Sequence, residues 1–286
     1  MKKLLAGFGV MVTLVAFVCP GGVSGEPPKG SLAAYYLNRG VKNLVRDRYE
    51  AAVADFTQAL SLNPEAAEGY FHRGIARRYL KQPDQALADL NQALALNPRW
   101  AEAYLMRGVI FADQGQLDLA LVDYSRALNL NAHLGLAYFN RGIIYLRKGD
   151  YDRAVSDFDQ ALRINPHRAE IYVNRGVAYK QKGQLEQAMA DYQQAIKMNP
   201  NLAEAYLNRG LLYGQKGEYV RAVADFTKVL ELNPKSAEAY KNRAVAYYSQ
   251  KDYVKAWDDV HRAESLGGEF PPDFLESLRR ASGREK

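Results

Sequence analysis

A repeat of 34 residues is the feature that most constrains this chain. In every copy a tyrosine stands three residues before an arginine, and a glycine or, in the last copy, an alanine follows the arginine. A strict repeat of this length predicts a stack of small, nearly identical units that bury a core only by packing on one another, so we expect binding along an extended surface. The three columns are Tyr36, Tyr70, Tyr104, Tyr138, Tyr172, Tyr206 and Tyr240; Arg39, Arg73, Arg107, Arg141, Arg175, Arg209 and Arg243; and Gly40, Gly74, Gly108, Gly142, Gly176, Gly210 and Ala244.

The repeats fill most of the chain. In 286 residues they leave no room for a second folded core, which weighs against an ordinary enzyme domain. Counted from Ala33, the seven units run over residues 33–66, 67–100, 101–134, 135–168, 169–202, 203–236 and 237–270.

Each unit has the pattern of two helices. In the fourth, Tyr138 and Tyr145 fall at helical spacing, and Ala154, Phe158 and Ala161 resume the same period after a glycine break. An Asn-Pro pair ends the second helix in most units, because proline has no N–H to continue it. The sequence therefore predicts helix hairpins with helices of roughly 14 residues, which are stable only when stacked.

These residues resemble the tetratricopeptide repeat (TPR). The resemblance covers the tyrosine where the family carries tryptophan, the glycine column, two alanine columns, the aromatic residue of the second helix and the prolines. It implies an all-α fold, a right-handed α-solenoid of tandem helix-turn-helix repeats. The departure is the arginine column, where the family usually carries leucine.

An aspartate follows each of these arginines at a distance of sixteen residues. Because both columns break the apolar pattern together, we expect each arginine to form a partly buried, bidentate ion pair with the aspartate of its own second helix. The alternative is two solvated charges that recur because the repeats were duplicated. The aspartates are Asp55, Asp89, Asp123, Asp157, Asp191, Asp225 and Asp259.

The resemblance also implies where a ligand lies. In TPR arrays the first helices line a concave groove that binds extended peptides or helices. Here that groove would carry amide side chains suited to a peptide backbone, beside apolar pockets. The alternative is that the amides bond to one another or to helix carbonyls and only hold the repeats together. The predicted groove residues are Asn38, Asn140, Asn174, Asn208, Asn242, Phe71, Leu105, Phe139, Val173 and Leu207.

Sequence motifs of catalysis are missing. The chain has no zinc-ligand spacing, phosphate loop or nucleophile elbow, so we expect no catalytic residue, cofactor or metal.

The expected partner is a protein or peptide of unknown identity. A net charge of +6 is mild, which argues against nucleic acid. The alternatives are a helical-repeat nucleic-acid binder and an accessory subunit of an envelope enzyme complex.

The N-terminus has the pattern of a secretory signal peptide over residues 1–25. Lys2 and Lys3 precede an apolar run over residues 4–18, and small residues lead to an expected cleavage after Gly25. The chain is then exported, periplasmic or secreted, without stable membrane insertion. The alternatives are an uncleaved anchor, for which the run is short, and lipid attachment at Cys19.

The remaining segments lie before and after the seven repeats. Residues 26–32 are expected to be an extended linker, because two prolines and a glycine fall within them. An amphipathic stretch over residues 271–280 predicts a C-terminal capping helix, or alternatively a docking peptide for a partner. We expect residues 281–286 to be a flexible tail.

Overall fold

A computed structural model describes residues 29–283 of the chain. Within this range it has fifteen α-helices and no β-strand, which confirms the predicted all-α class. The chain divides into two compact units, with the boundary between Ala137 and Tyr138. The predicted signal peptide, residues 26–28 of the predicted linker and residues 284–286 of the predicted tail lie outside the described residues.

Unit 1 consists of three helix hairpins. In each, a turn of three residues joins two helices that pack together, as the two-helix pattern of the repeat predicts. The second helix of one hairpin also packs against the first helix of the next, so apolar burial continues along the unit. The helices are α1 (Lys29–Val45), α2 (Tyr49–Leu62), α3 (Ala67–Tyr79), α4 (Pro83–Leu96), α5 (Ala101–Asp113) and α6 (Leu117–Leu130).

Unit 2 repeats the same arrangement. Helix α7 (Gly135–Arg147) spans the boundary residue, and the later helices pair as α9 with α10, α11 with α12 and α13 with α14. The first helices α9, α11 and α13 also contact one another in sequence order. The remaining bounds are α8 (Tyr151–Ile164), α9 (Ala169–Gln181), α10 (Leu185–Met198), α11 (Ala203–Gln215), α12 (Tyr219–Leu232), α13 (Ala237–Ser249), α14 (Tyr253–Ser265) and α15 (Pro272–Ser282).

The turn inside a hairpin needs one residue in the left-handed region. Gly149 occupies it with φ of 78°, where glycine has no steric penalty. Asp47, Lys81 and Lys251 take the same conformation with φ of 56°, 57° and 64°. These three turns therefore have the backbone of the glycine turns, and a side chain there costs roughly 1–2 kcal/mol.

Small residues in the core let the two helices of a hairpin approach closely. A Cβ atom added at Gly142 would lie 2.8 Å from Cε1 of Phe158, so the phenyl ring fills the space that a side chain would take. Ala154 and Ala161 on the second helix are fully buried. Large and small side chains thus interdigitate between the two helices of a hairpin, as the aromatic, glycine and alanine columns of the repeat predict.

The predicted linker was wrong at its C-terminal part. Residues 29–32 belong to helix α1, which begins directly after Pro28. Ala33 is buried, and this burial stabilises the first turns of α1, so the helix extends back through Gly30.

The predicted tail was also wrong at its start. Helix α15 continues to Ser282, and Gly283 ends it in the left-handed conformation with φ of 67°. The indole Nε1 of Trp257 donates to Oγ of Ser282 at 3.1 Å, a tertiary contact that orders the last turn.

Helix α15 covers the last hairpin. Leu278 is fully buried, and the ring of Phe274 meets Tyr248 edge to face at 5.5 Å between centroids. Helix α15 lies where the capping helix was predicted, and it covers an apolar face that the end of a stack would otherwise expose. No helix within residues 29–283 has the length and apolarity to cross a bilayer.

Candidate functional site

The arginine and aspartate columns meet inside each hairpin. In the second repeat, Arg73 donates from Nε to Oδ2 of Asp89 at 3.0 Å and from Nη2 to Oδ1 at 2.8 Å. Asp89 is 3% exposed, so this carboxylate is desolvated and held by a planar fork. The same two-point contact joins Arg107 to Asp123, Arg141 to Asp157, Arg175 to Asp191, Arg209 to Asp225 and Arg243 to Asp259.

The first pair departs from the bidentate geometry. Nε and Nη2 of Arg39 both donate to the same oxygen, Oδ1 of Asp55, while Oδ2 accepts from Nδ2 of Asn43 at 2.9 Å. The side chain of Arg39 is 47% exposed, against 14% for Arg73. The bidentate prediction was therefore wrong for this pair, in which Arg39 and Asn43 each bond one carboxylate oxygen.

A third arginine donor reaches the preceding repeat, which the sequence reasoning missed. Nη1 of Arg73 donates to Oγ1 of Thr57 at 3.1 Å, and Nη1 of Arg175 donates to Oδ1 of Asp159 at 2.6 Å. Each acceptor stands sixteen residues before its arginine, so a polar column at that spacing was the available signal. We call an arginine with its own aspartate and this preceding acceptor an arginine clamp. Arg107 with Asn91 and Arg243 with Thr227 form the same contact.

Tyrosine rings flank the arginine of the clamp. The guanidinium carbon of Arg243 lies 5.6 Å from the ring centroid of Tyr240 and 5.7 Å from that of Tyr247. The hydrogen bonds to Asp259 raise the pKa of Arg243, while burial opposes that rise. The clamp is thus an ionised, ring-packed element whose donors face inward to protein acceptors, and its chemistry is structural.

The predicted asparagines lie on the first helices, but two use their amide groups locally. Nδ2 of Asn174 donates to the Glu170 carbonyl at 2.8 Å, and Nδ2 of Asn208 donates to the Glu204 carbonyl at 2.9 Å. For the Nδ2 atoms of Asn174 and Asn208, the alternative prediction of bonds to helix carbonyls therefore applies. The Oδ1 atom of each asparagine can still accept a hydrogen bond. Asn140 and Asn174 are buried, Asn208 and Asn242 are half-buried, and Asn38 is exposed.

Four of the predicted apolar groove residues are core residues. Phe71 and Leu105 are each 6% exposed, Phe139 is 2% exposed and Val173 is 1% exposed. Side chains this buried pack between helices and offer no open pocket, so this part of the prediction is corrected. Leu207 is half-buried and packs against the core of unit 2.

The apolar residues that share a helix face with the asparagines stand three positions later. Val177, Leu211 and Val245 follow Asn174, Asn208 and Asn242, and this spacing places each pair side by side on its helix. Val245 is 45% exposed, and the other two are half-buried. We define the first-helix face of unit 2 by three triplets on contacting helices: Glu170, Asn174 and Val177 on α9; Glu204, Asn208 and Leu211 on α11; Glu238, Asn242 and Val245 on α13.

The glutamates give this face a negative edge. Burial raises the pKa of Glu204, and the charges of Glu170 and Glu238 raise it further. All three stand in the first turn of their helices, where the helix dipole favours negative charge. Within residues 29–283, no group of three or more His, Cys, Asp or Glu side chains is arranged to hold a metal ion.

Comparison with known families and structures identifies relatives of this fold. Family models described as TPR repeat match residues 108–149 and 178–217, and models described as tetratricopeptide repeat match residues 67–100, 135–168, 158–190, 203–236 and 226–258. No curated protein matches the chain significantly.

Solved structures of similar fold include three informative ones. A tetratricopeptide repeat protein from Parabacteroides merdae is 21% identical, with a TM-score of 0.64 over 88% of this chain and 99% of that one. YrrB, described as a TPR protein with an unusual peptide-binding site, is 25% identical, with a TM-score of 0.55 over 68% of this chain and 97% of that one. PilF of Pseudomonas aeruginosa is 19% identical, with a TM-score of 0.68 over 76% and 98%.

Proposed function

Since this chain belongs to the tetratricopeptide repeat family, we propose that it is a non-catalytic scaffold that binds a peptide or protein segment on the first-helix face of unit 2. The TPR fold in general serves protein–protein interaction, and the similar structure of YrrB carries a peptide-binding site. The observation that carries the proposal is the ladder of asparagines beside half-exposed aliphatic residues on α9, α11 and α13.

This ladder suits an extended segment. Asn208 and Asn242 are half-buried on two adjacent helices, and Oδ1 of Asn208 provides a hydrogen-bond acceptor, since its Nδ2 bonds to the Glu204 carbonyl. A backbone N–H of a partner is the complementary donor. Val245 and its counterparts add apolar contact between these polar points, so main-chain bonds supply affinity and side chains supply specificity.

Photo-crosslinking tests the location of the binding surface. A crosslinking amino acid replaces Val245, which lies on the face and is 45% exposed, or Val220 on α12, which is 74% exposed. The two valines match in chemistry and differ in helix. We expect a defined partner to be captured from position 245 and not from position 220. Capture of the same protein from both positions, or from 220 alone, would move the site off this face.

Export is the second part of the proposal. Residues 1–25 have the pattern of a signal peptide, so the mature chain is expected to begin at Glu26 in the periplasm or outside the cell. Mass spectrometry of the protein purified from its source tests this directly. An intact Met1 in a membrane fraction indicates an anchor instead, and a lipidated Cys19 indicates a lipoprotein.

Other classes make different predictions. A helical-repeat nucleic-acid binder would bind oligonucleotides with a strong salt dependence. An accessory subunit of an envelope enzyme complex would yield an enzyme as the captured partner. The second result is compatible with the scaffold role and would name the complex.

A further inference from the structure

A cleft in unit 1 is lined by residues that depart from the repeat. It has a volume of about 510 Å³ and lies between the start of α3 and the loop after α4. We call it the Trp100 cleft. Its lining residues are Ala66, Ala67, Glu68, Asn97 and Trp100.

Trp100 breaks the sequence pattern at the last position of a repeat. The equivalent residues elsewhere are Ala66, Leu134, Arg168, Leu202, Ser236 and Phe270. The chain has two tryptophans, and the other, Trp257, is 6% exposed with its indole N–H bonded to Ser282. Trp100 is half-buried, and in the described part of the chain its Nε1 has no hydrogen-bond partner.

The indole is supported from behind. Its ring lies 4.4 Å from the ring of Phe71, which is 6% exposed and belongs to the core of unit 1. The contact with a buried ring fixes Trp100 as part of the wall of the cleft. Ala66 and Ala67 have only methyl side chains, so the opposite wall leaves room for one long side chain.

The charge of the lining is negative. Glu68 is exposed and forms no ion pair within residues 29–283. It stands in the first turn of α3, where the helix dipole contributes roughly half a positive charge. A full carboxylate charge exceeds this opposing partial charge, so the cleft favours a cation. The face of an indole attracts cations as well, more strongly than other aromatic rings do.

The last repeat contains an internal example of the same contact. Phe270 occupies the position of Trp100, and Nζ of Lys241 lies 5.8 Å from its ring centroid. Lys241 in turn stands where Phe71 stands in the second repeat. An aromatic residue at the position of Trp100 is therefore within reach of a cationic side chain. In unit 1 the position equivalent to Lys241 holds Phe71, so the chain has a second aromatic ring there instead of a cation.

We infer that the Trp100 cleft binds an arginine or lysine side chain of a protein partner. The stem stacks on the indole, the charged head pairs with Glu68, and the side-chain oxygen of Asn97 accepts a further hydrogen bond. This inference rests on the proposed function, because it assigns a basic residue to a protein partner of the scaffold. Arginine fits best, because its planar guanidinium stacks and donates at the same time.

Trp100 fluorescence tests the inference in the full chain. The probes are N-acetyl-arginine amide and N-acetyl-citrulline amide, which share length and planar shape, whereas citrulline has a neutral urea with a carbonyl oxygen in place of one NH2 group of the charged guanidinium. In a Trp257→Phe background the signal comes from Trp100 alone. We expect a saturable change with the arginine probe in roughly the millimolar range, and at least fivefold weaker binding of the citrulline probe. Equal binding of both probes, or no saturable change, would overturn the inference.

Two cleft variants and one matched control separate the cleft from other sites. Glu68→Gln should weaken arginine binding at least fivefold, whereas Glu50→Gln should not, because that glutamate is an equally exposed first-turn residue, on α2, and does not line the cleft. Trp100→Leu, read by calorimetry, should abolish binding while the circular dichroism spectrum stays helical, since leucine occupies this position in two other repeats. An unchanged affinity in Glu68→Gln contradicts the assignment.

The partner captured by crosslinking distinguishes this inference from the proposed function. If capture from position 245 persists and Glu68→Gln leaves both partner and probe affinity unchanged, the inference fails and the scaffold function stands. If the arginine probe binds as expected and no partner is captured, the scaffold function on that face fails alone.

Discussion

At the scale of single residues, the arginine–aspartate ion pair explains why both charged columns occur in a packed repeat. An exposed ion pair contributes at most about 1 kcal/mol, but a buried carboxylate left without its partner costs about 3–5 kcal/mol. Asp225 is 5% exposed and accepts two N–H groups from Arg209. Neither residue is therefore free to change alone, whereas both can change together at lower cost.

Arg209→Ala should lower the free energy of unfolding by about 3 kcal/mol, because Asp225 remains buried and charged. The double variant Arg209→Ala with Asp225→Ala should lose clearly less, since no charge is stranded. Urea unfolding of the wild type, both single variants and the double variant gives the coupling energy. A double variant as unstable as the sum of the two single variants would show that the residues do not act as a pair.

His72 provides a pH-dependent residue in unit 1. It stacks on Phe56 at 5.7 Å, its Nδ1 has no hydrogen-bond partner, and burial lowers the pKa of His72 to about 4. The unfolded chain binds a proton near pH 6.5, so its protonation favours unfolding as the pH falls from about 6.5 towards 4. Stability from this group is thus present above the unfolded pKa and lost on acidification.

Five of the other repeats carry asparagine at this position, so His72→Asn is a compatible replacement. Between pH 7.5 and pH 5 the wild type should lose about 2 kcal/mol more than the variant. Urea midpoints of both proteins at the two pH values measure the difference, and the variant serves as the reference for the carboxylates that titrate in the same range. Parallel pH profiles would mean that His72 is protonated in the native state.

At the scale of elements, the sequence period predicts the hairpins well because it depends on local spacing. The turn glycines and the Asn-Pro pairs set most helix ends, whereas α1 and α15 extend further than the sequence indicates. The end of α15 depends on the contact between Trp257 and Ser282, which no local pattern shows. The aspartate of each arginine–aspartate pair was predictable from its constant spacing. Which face of a first helix is exposed to solvent depends on how that helix is rotated against its neighbours, which the repeat pattern does not show. Val173 was therefore wrongly placed on the exposed face, and Val245 was missed.

The hairpin turns allow a matched test of backbone conformation. Lys81→Gly should raise the free energy of unfolding by roughly 1 kcal/mol, because glycine takes φ of 57° without the steric cost of a side chain. Gly149→Lys should lower it by a similar amount, since φ there is 78°. Thermal unfolding of both variants measures the two shifts. A loss of stability in Lys81→Gly would show that the lysine side chain contributes contacts that outweigh the strain.

At the scale of the whole molecule, stability is expected to be a sum over similar hairpins and the interfaces between neighbours. Where the preceding acceptor is present, the arginine clamp is part of the interface between two repeats. It links the second helix of one hairpin to the hairpin that follows. A complete repeat is therefore a removable unit within unit 2, provided that the clamp is rebuilt across the new junction. Half a repeat is not, because it leaves a helix without its partner.

Deletion of residues 169–202 tests this additivity. The junction joins Arg168 to Ala203 and places Arg209 sixteen residues after Asp159, so Arg209 inherits the acceptor that Arg175 uses in the wild type. We expect a helical protein with cooperative urea unfolding and a lower m-value, in proportion to the surface lost. Deletion of residues 185–202 removes α10 alone, so it should broaden or abolish the transition around α9. Indistinguishable unfolding of the two deletion variants would mean that the 34-residue repeat is not the cooperative unit of this fold.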